Sequence, residues 1–297
     1  METKRGYKRS SFRLLVSCIL LLVSNLSTGE ARGEEDFKVA VEAARTKGVP
    51  EELITRILVV GYRYRLESGD LAGFLAVAAD AEQRNLPVEP LVDKMEEGLA
   101  KRVATYRIQQ VLRRDLVQYG FVREVLQKTV LERGHQTEIL TNTTVVRLTR
   151  TLSMGIVQSE MQGLLEAAPK VSIAELVESV EFAAALKQAG EEFQTAKEIT
   201  LAGLEYGFFT KTAWTLPVMI SAAKTNHLAE DQIKAAALEV VKGNKTVLEA
   251  HTGLGLDPNS LARGPILSAP TSGGGKDSTG GKGQSGAPGT GGQGSGG

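Results

Sequence analysis

Three histidines stand in the chain, His135, His227 and His251. Imidazole nitrogens bind zinc or move protons, but a zinc site needs ligands that converge, most simply as two histidines one helical turn apart. These three are far apart in sequence, and His135 and His227 fall in turns, where a solvated or capping imidazole is ordinary. No metal site is expected. Two carboxylate pairs, Glu96-Glu97 and Glu191-Glu192, have the residue type that glycosidic-bond chemistry uses. Neighbours on a helix point about 100° apart, so neither pair converges on one substrate, and solvated helix faces are the better reading. No Gly-x-Ser-x-Gly elbow and no phosphate-binding loop is present. The sequence therefore predicts no catalytic residues, no cofactor and no enzyme.

Two other groupings carry recognition chemistry. Arg63, Tyr64 and Arg65 are followed by Arg102, Tyr106, Arg107, Arg113, Arg114 and Arg123. Arginine interleaved with tyrosine binds anionic polymers through bidentate hydrogen bonds and stacking. Arg102, Arg107, Arg113, Arg114 and Arg123 are the candidate contacts for an anionic partner. The alternative is that this block packs against acidic segments of the same chain. The second grouping, Tyr206, Phe208, Phe209 and Trp214, is the densest aromatic cluster in a chain with 5% aromatics. It is a candidate apolar groove for a ligand or a partner helix, with burial in the core as the alternative.

The charge distribution explains why the arginine block stands out. The whole chain has 35 basic and 35 acidic residues. Residues 34–100 nevertheless carry 14 acidic and 8 basic side chains, residues 101–150 carry 4 and 10, and residues 151–250 carry 13 and 8. A basic segment thus lies between two acidic ones.

The elements that must position these residues read as helices. Apolar positions recur at helical spacing, as in Leu91, Met95 and Leu99, and alternating β-branched runs are scarce. A short phrase repeats: an apolar residue, a cap or turn, then a second apolar residue five positions on. It appears as Leu86 to Leu91, Val103 to Ile108, Val171 to Leu176 and Leu228 to Ile233, and again at Phe121–Leu126 and Leu256–Leu261. Its spacing drifts, so no fixed repeat period applies. The expected fold is all-α, built of irregular stacked helical hairpins, either solenoid-like or an orthogonal bundle.

Particular residues set the expected boundaries. Gly48 and Gly134 should close helices, Gly190 should precede one, Asp70 and Ser172 should open them, and Tyr119-Gly120 should separate two helices. Pro217 should kink or break its helix. The run Thr144-Val145-Val146 admits a strand, although the helix after it favours continued helix with a Thr or Asn cap.

Both ends differ from the middle. Lys4, Arg5, Lys8, Arg9 and Arg13 precede the apolar run Leu14–Val23, and small residues follow. That order reads as a secretory signal over residues 1–31, whose ten-residue apolar run is too short to span a bilayer. Cys18, the single cysteine, ends a lipobox-like Leu15-Val16-Ser17-Cys18, so a lipoprotein is the minor alternative. From residue 265 a tail begins in which 13 of the 27 residues 271–297 are glycine, too polar for a core. An all-helical domain over 34–262 is left, with a possible sub-boundary near 135–151. The expectation is an exported, periplasmic or extracellular helical scaffold or adaptor of the bacterial cell envelope, with no transmembrane span after processing. Its partner would be an envelope protein or an anionic envelope polymer, and not nucleic acid. A periplasmic carrier or chaperone that shelters an apolar ligand near 206–214 is the second reading.

Overall fold

The computed structural model describes residues 31–132, 140–168, 171–209 and 214–263. Residues 1–30 with Cys18, the turn at His135 and the tail from 265 lie outside them. Among the described residues every regular element is a helix. The first are α1 (Ala31–Thr46), α2 (Glu51–Arg63), α3 (Ser68–Gln83), α4 (Glu89–Ala100) and α5 (Thr105–Glu132). The next four are α6 (Asn142–Ser153), α7 (Gln158–Ala167), α8 (Ile173–Gln188) and α9 (Phe193–Glu205). The last are α10 (Thr215–Thr225), α11 (Glu230–Val241), α12 (Val247–Gly253) and α13 (Ser260–Arg263). None is long and apolar enough to cross a membrane.

One connector recurs along the chain. Ten of the described residues have positive φ: Gly48, Gly155, Gly190, Gly207, Gly243, Gly255, Arg65, Asn85, Arg102 and His227. In each case the next residue's N–H donates to the carbonyl five positions back, as Val49 does to Ala44, Leu86 to Ala81 and Leu256 to His251. The left-handed residue's own N–H donates three positions back, which completes a Schellman cap. The residue after the left-handed one then serves the next helix. Val49 precedes the N-cap of α2 and Ile54 is its fourth residue, and Ile156 and Met161 stand in the same relation in α7. All four are buried, so one apolar side chain closes one helix and staples the start of the next. This double role accounts for the five-residue phrase in the sequence.

The helices pack on near neighbours. Consecutive helices touch at most steps, and contacts also join α1 to α3, α2 to α4, α3 to α5, α6 to α8, α7 to α9 and α9 to α11. The axis of this arrangement is α8, which buries residues on every side. Ile173, Leu176, Val177, Val180 and Ala184 join a cluster that reaches back to Phe37. Phe182, Leu186 and Ala189 join a second cluster that runs on to Leu256. Each fully buried Leu, Val or Phe side chain is worth roughly 1.5–3 kcal/mol. Ala183, Ala184 and Ala185 keep this helix narrow enough for neighbours on opposite sides. Its start is fixed by a capping box in which Ser172 Oγ accepts from the Glu175 N–H and the Glu175 carboxylate accepts from the Ser172 N–H.

Several boundaries differ from the sequence reading. Helix α5 runs unbroken through Tyr119-Gly120, so the phrase at Phe121–Leu126 lies inside a helix. A Cβ at Gly120 would come 2.4 Å from Arg84 Nη2, so this glycine makes room for a neighbouring side chain. Asp70 is not an N-cap. Helix α3 starts at Ser68, and Asp70 sits in its first turn, where a carboxylate favours the helix dipole. Pro217 neither kinks nor breaks α10, because it is the third residue and its missing N–H would have had no helical partner. The Thr-Val-Val run is helical, and Thr141 caps α6 by accepting from the Thr144 N–H.

The buried face of α8 contains one carboxylate, Glu181, 4% exposed. Arg147 on α6 meets it with two parallel hydrogen bonds, Nε to Oε1 at 2.9 Å and Nη2 to Oε2 at 2.6 Å. That hydrogen bonding holds the guanidinium above the ordinary arginine range, against the opposing effect of burial. Replacing Arg147 alone would leave a buried charge without compensation. Urea unfolding should show Arg147→Met losing about 3 kcal/mol, with most of it recovered in Arg147→Met/Glu181→Leu.

Candidate functional site

The sequence candidates resolve into different situations. His227 occupies the left-handed position after α10 and is exposed. His251, by contrast, is fully buried. Its Nε2 lies 2.9 Å from the Asp257 carbonyl and 2.8 Å from Ser260 Oγ, while Ser260 Oγ–H donates to that same carbonyl at 2.7 Å. Nδ1 is buried with no partner among the described residues, and none of their carboxylates orients the ring as a nucleophile's base would need. With the proton assigned to Nε2, the imidazole ties the segment around α13 down onto α12. Among the described residues, no group of three or more His, Cys, Asp or Glu side chains could hold a metal ion.

The paired carboxylates diverge. Glu96 accepts from Arg56 Nε at 3.0 Å, whereas Glu97 pairs with Lys101, whose hydrogen bond holds the Glu97 carboxyl below its usual range. Glu192 is exposed at the N-cap of α9, and Glu191 is buried. Glu191 occupies the position after a left-handed glycine where most connectors put an apolar side chain. Lys224 Nζ lies 3.5 Å from Glu191 Oε1 and 2.6 Å from Glu230 Oε2. Burial pushes the Glu191 carboxyl above the ordinary glutamate range, and the Lys224 charge offsets this only in part.

The aromatic candidates fall into two groups. Phe208 and Phe209 are half-buried and join Phe182 of α8 in three edge-to-face contacts, with ring centroids 5.5–6.4 Å apart. The Phe209 ring would come 3.2 Å from a Cβ at Gly203, so that glycine admits it. These two side chains are therefore part of the packing around α8. Tyr206 caps α9 and is exposed, and Trp214 is half-buried at the N-cap of α10.

The arginines divide by whether they are paired. Arg45 lies 2.7 Å from both Glu42 and Glu51, and Arg56 lies 2.7 Å from Asp93 and 3.0 Å from Glu96. Asp93 and Glu96, which stand just before the basic block in sequence, are thus engaged by Arg56. Asp115, buried on α5, pairs with Lys94, and it reinforces the burial that pushes the Tyr119 hydroxyl up to about 12. Arg114 reaches only 3.7 Å from the same carboxylate, and Arg123 donates to the Asn85 carbonyl. Arg102, Arg107 and Arg113 are exposed and have no carboxylate partner among the described residues. Arg107 instead donates from Nε to the Tyr106 hydroxyl at 2.8 Å and sits 5.7 Å from the Tyr106 ring centroid. Arg107 and Arg114 are seven residues apart and so share one stripe of α5.

Residue type marked Glu191, Arg65 and Arg102 but not the burial of the first or the left-handed backbone of the other two, and it did not mark the Arg147–Glu181 pair at all. The signal for Glu191 lies in aligned helix ends, where Gly190-Glu191 departs from Gly48-Val49, Gly155-Ile156 and Gly255-Leu256.

The Glu191 environment sets a pH dependence. The folded protein holds this proton more tightly than the unfolded chain does. Its contribution to stability is therefore fullest below the ordinary glutamate pKa and is lost as pH rises through the raised folded value. Between about pH 4 and pH 7, thermal unfolding of Glu191→Gln should lose less stability than the parent, with the two curves converging at the acid end. No protein-family model, curated protein or solved structure matches this chain.

Proposed function

We propose that this is an exported, non-enzymatic helical scaffold or adaptor of the bacterial cell envelope. Its helices form an irregular stack, and the basic face of α5 holds an acidic protein or an anionic polymer. The observation that carries the reading is the contrast among the arginines. Arg45, Arg56 and Arg147 are committed to carboxylates, while Arg102, Arg107 and Arg113 project into solvent with none. An exposed guanidinium that supports no internal pair is available for an outside anion. The basic leader, apolar run and small residues at the start of the sequence support the address. The Tyr206–Trp214 region is the weaker candidate, since Phe208 and Phe209 spend their rings on Phe182.

Co-sedimentation of the purified protein with whole envelope fractions tests this reading. Binding should be present at low salt and fall steeply above about 0.1 M, where the screening length is about 10 Å. Arg113→Glu/Arg114→Glu should lose binding at least about tenfold while keeping its helical signal, because both side chains are exposed. Absence of binding at every salt concentration would overturn the proposal.

A further inference from the structure

Of the ten left-handed connector positions, six are glycine, and one each is asparagine and histidine. The remaining two are arginines, Arg65 at φ 53° and Arg102 at φ 57°. A side chain with a Cβ is strained in this conformation, and glycine is not. Neither arginine recovers that cost within the fold. Both are exposed, and neither guanidinium has a hydrogen-bond or ion-pair partner among the described residues. Glycine would serve the connector better, so the value of these two cations lies outside the fold's own stability.

The two positions come together at one edge. Arg56 on α2 reaches both Asp93 and Glu96 on α4, so these helices lie side by side. Gln109 near the start of α5 donates to the Asp70 carbonyl near the start of α3, at 3.2 Å. The α2–α3 and α4–α5 connectors therefore lie next to each other, roughly 10 Å apart as packed helices are. Arg63, Arg65, Arg102 and Arg107 are exposed along this edge. Lys101 is engaged by Glu97, and Glu67 is the exposed carboxylate of the first connector.

Apolar surface accompanies the charge. Tyr62 is 79% exposed, Tyr106 55%, Val103 39% and Tyr64 38%. Val103 is also a connector residue whose counterparts Val49, Leu86, Ile156 and Leu256 are buried. An acidic protein would match the cations, and the exposed tyrosines and valine add apolar surface to the same edge. An anionic bilayer matches both, since arginines are drawn to its surface charge while tyrosine rings and a valine enter the headgroup layer.

We infer that the α2–α3 and α4–α5 connectors form a docking edge for an anionic phospholipid surface. The inference rests on the proposed anionic envelope partner and specifies its chemistry. Flotation of the full-length protein tests it, with phosphatidylcholine vesicles in one arm and vesicles containing phosphatidylglycerol in the other. The protein should float with the second alone. Arg65→Gly/Arg102→Gly should weaken that binding about twenty-five-fold, at about fivefold for each arginine at an anionic surface. Its thermal midpoint should hold or rise, because glycine relieves the left-handed strain. Tyr62→Ser/Tyr106→Ser should also weaken flotation while leaving the salt dependence in place.

Flotation unchanged in the glycine variant would overturn the inference. So would binding to soluble polyglutamate as tight as to the vesicles, which would assign the edge to an acidic protein. A chain that sediments with envelope fractions yet ignores phosphatidylglycerol vesicles would remove the lipid assignment and leave the anionic-partner reading standing. Failure in both assays would remove both.

Discussion

The fold depends on a short connector of three to five residues. A left-handed residue closes one helix, an apolar residue follows, and a cap opens the next helix. Its backbone bonds are local, so the chain reverses without long loops. Its apolar residue is held from two sides, by the end of one helix and the fourth residue of the next. Orphan carbonyls at the helix end are satisfied by the same two N–H groups that set the turn angle. The spacing between helices can drift while the connector stays constant, which is why the sequence shows a recurring phrase without a repeat period.

Around that constraint, α8 joins the two hydrophobic clusters. It carries small residues where neighbours approach closely and larger ones where space must be filled. From Ser179 to Leu186 every residue of this helix is buried, so its polar residues there need internal partners. Ser179 donates to the Leu176 carbonyl, and Glu181 takes the fork of Arg147. Glu191, just past the end of this helix, has the least complete compensation, a lysine shared with Glu230. The same geometry thus yields a well-matched buried pair and a strained one within a few residues.

Much of the helical content was legible because periodicity, caps and glycines are local signals. Gly48, Ser172 and Gly190 play the parts their types suggest. Gly120 and Pro217 mislead because each residue has two meanings that only position resolves. Glycine ends a helix or admits a neighbour, and proline breaks a helix or begins one. The candidate arginines were visible by type, but which of them are free depends on where the carboxylates fall in space. Asp93 and Glu96 lie close in sequence to Arg102, yet they are claimed by Arg56 from a different helix. The left-handed arginines were hidden for a related reason: backbone conformation at a helix end is readable when glycine occupies it and silent when another residue does.

The reach of the contacts has a further consequence. Most helices touch only the next one and the next but one, so little of the structure requires distant parts of the chain to find each other first. Such wiring means low contact order and small loop-closure entropy, which favours rapid assembly from local pieces. It also means that a terminal helix can detach without dismantling those beyond its neighbours. The His251 tether on α12 therefore holds the last described segment, residues 257–260, to the helix before it.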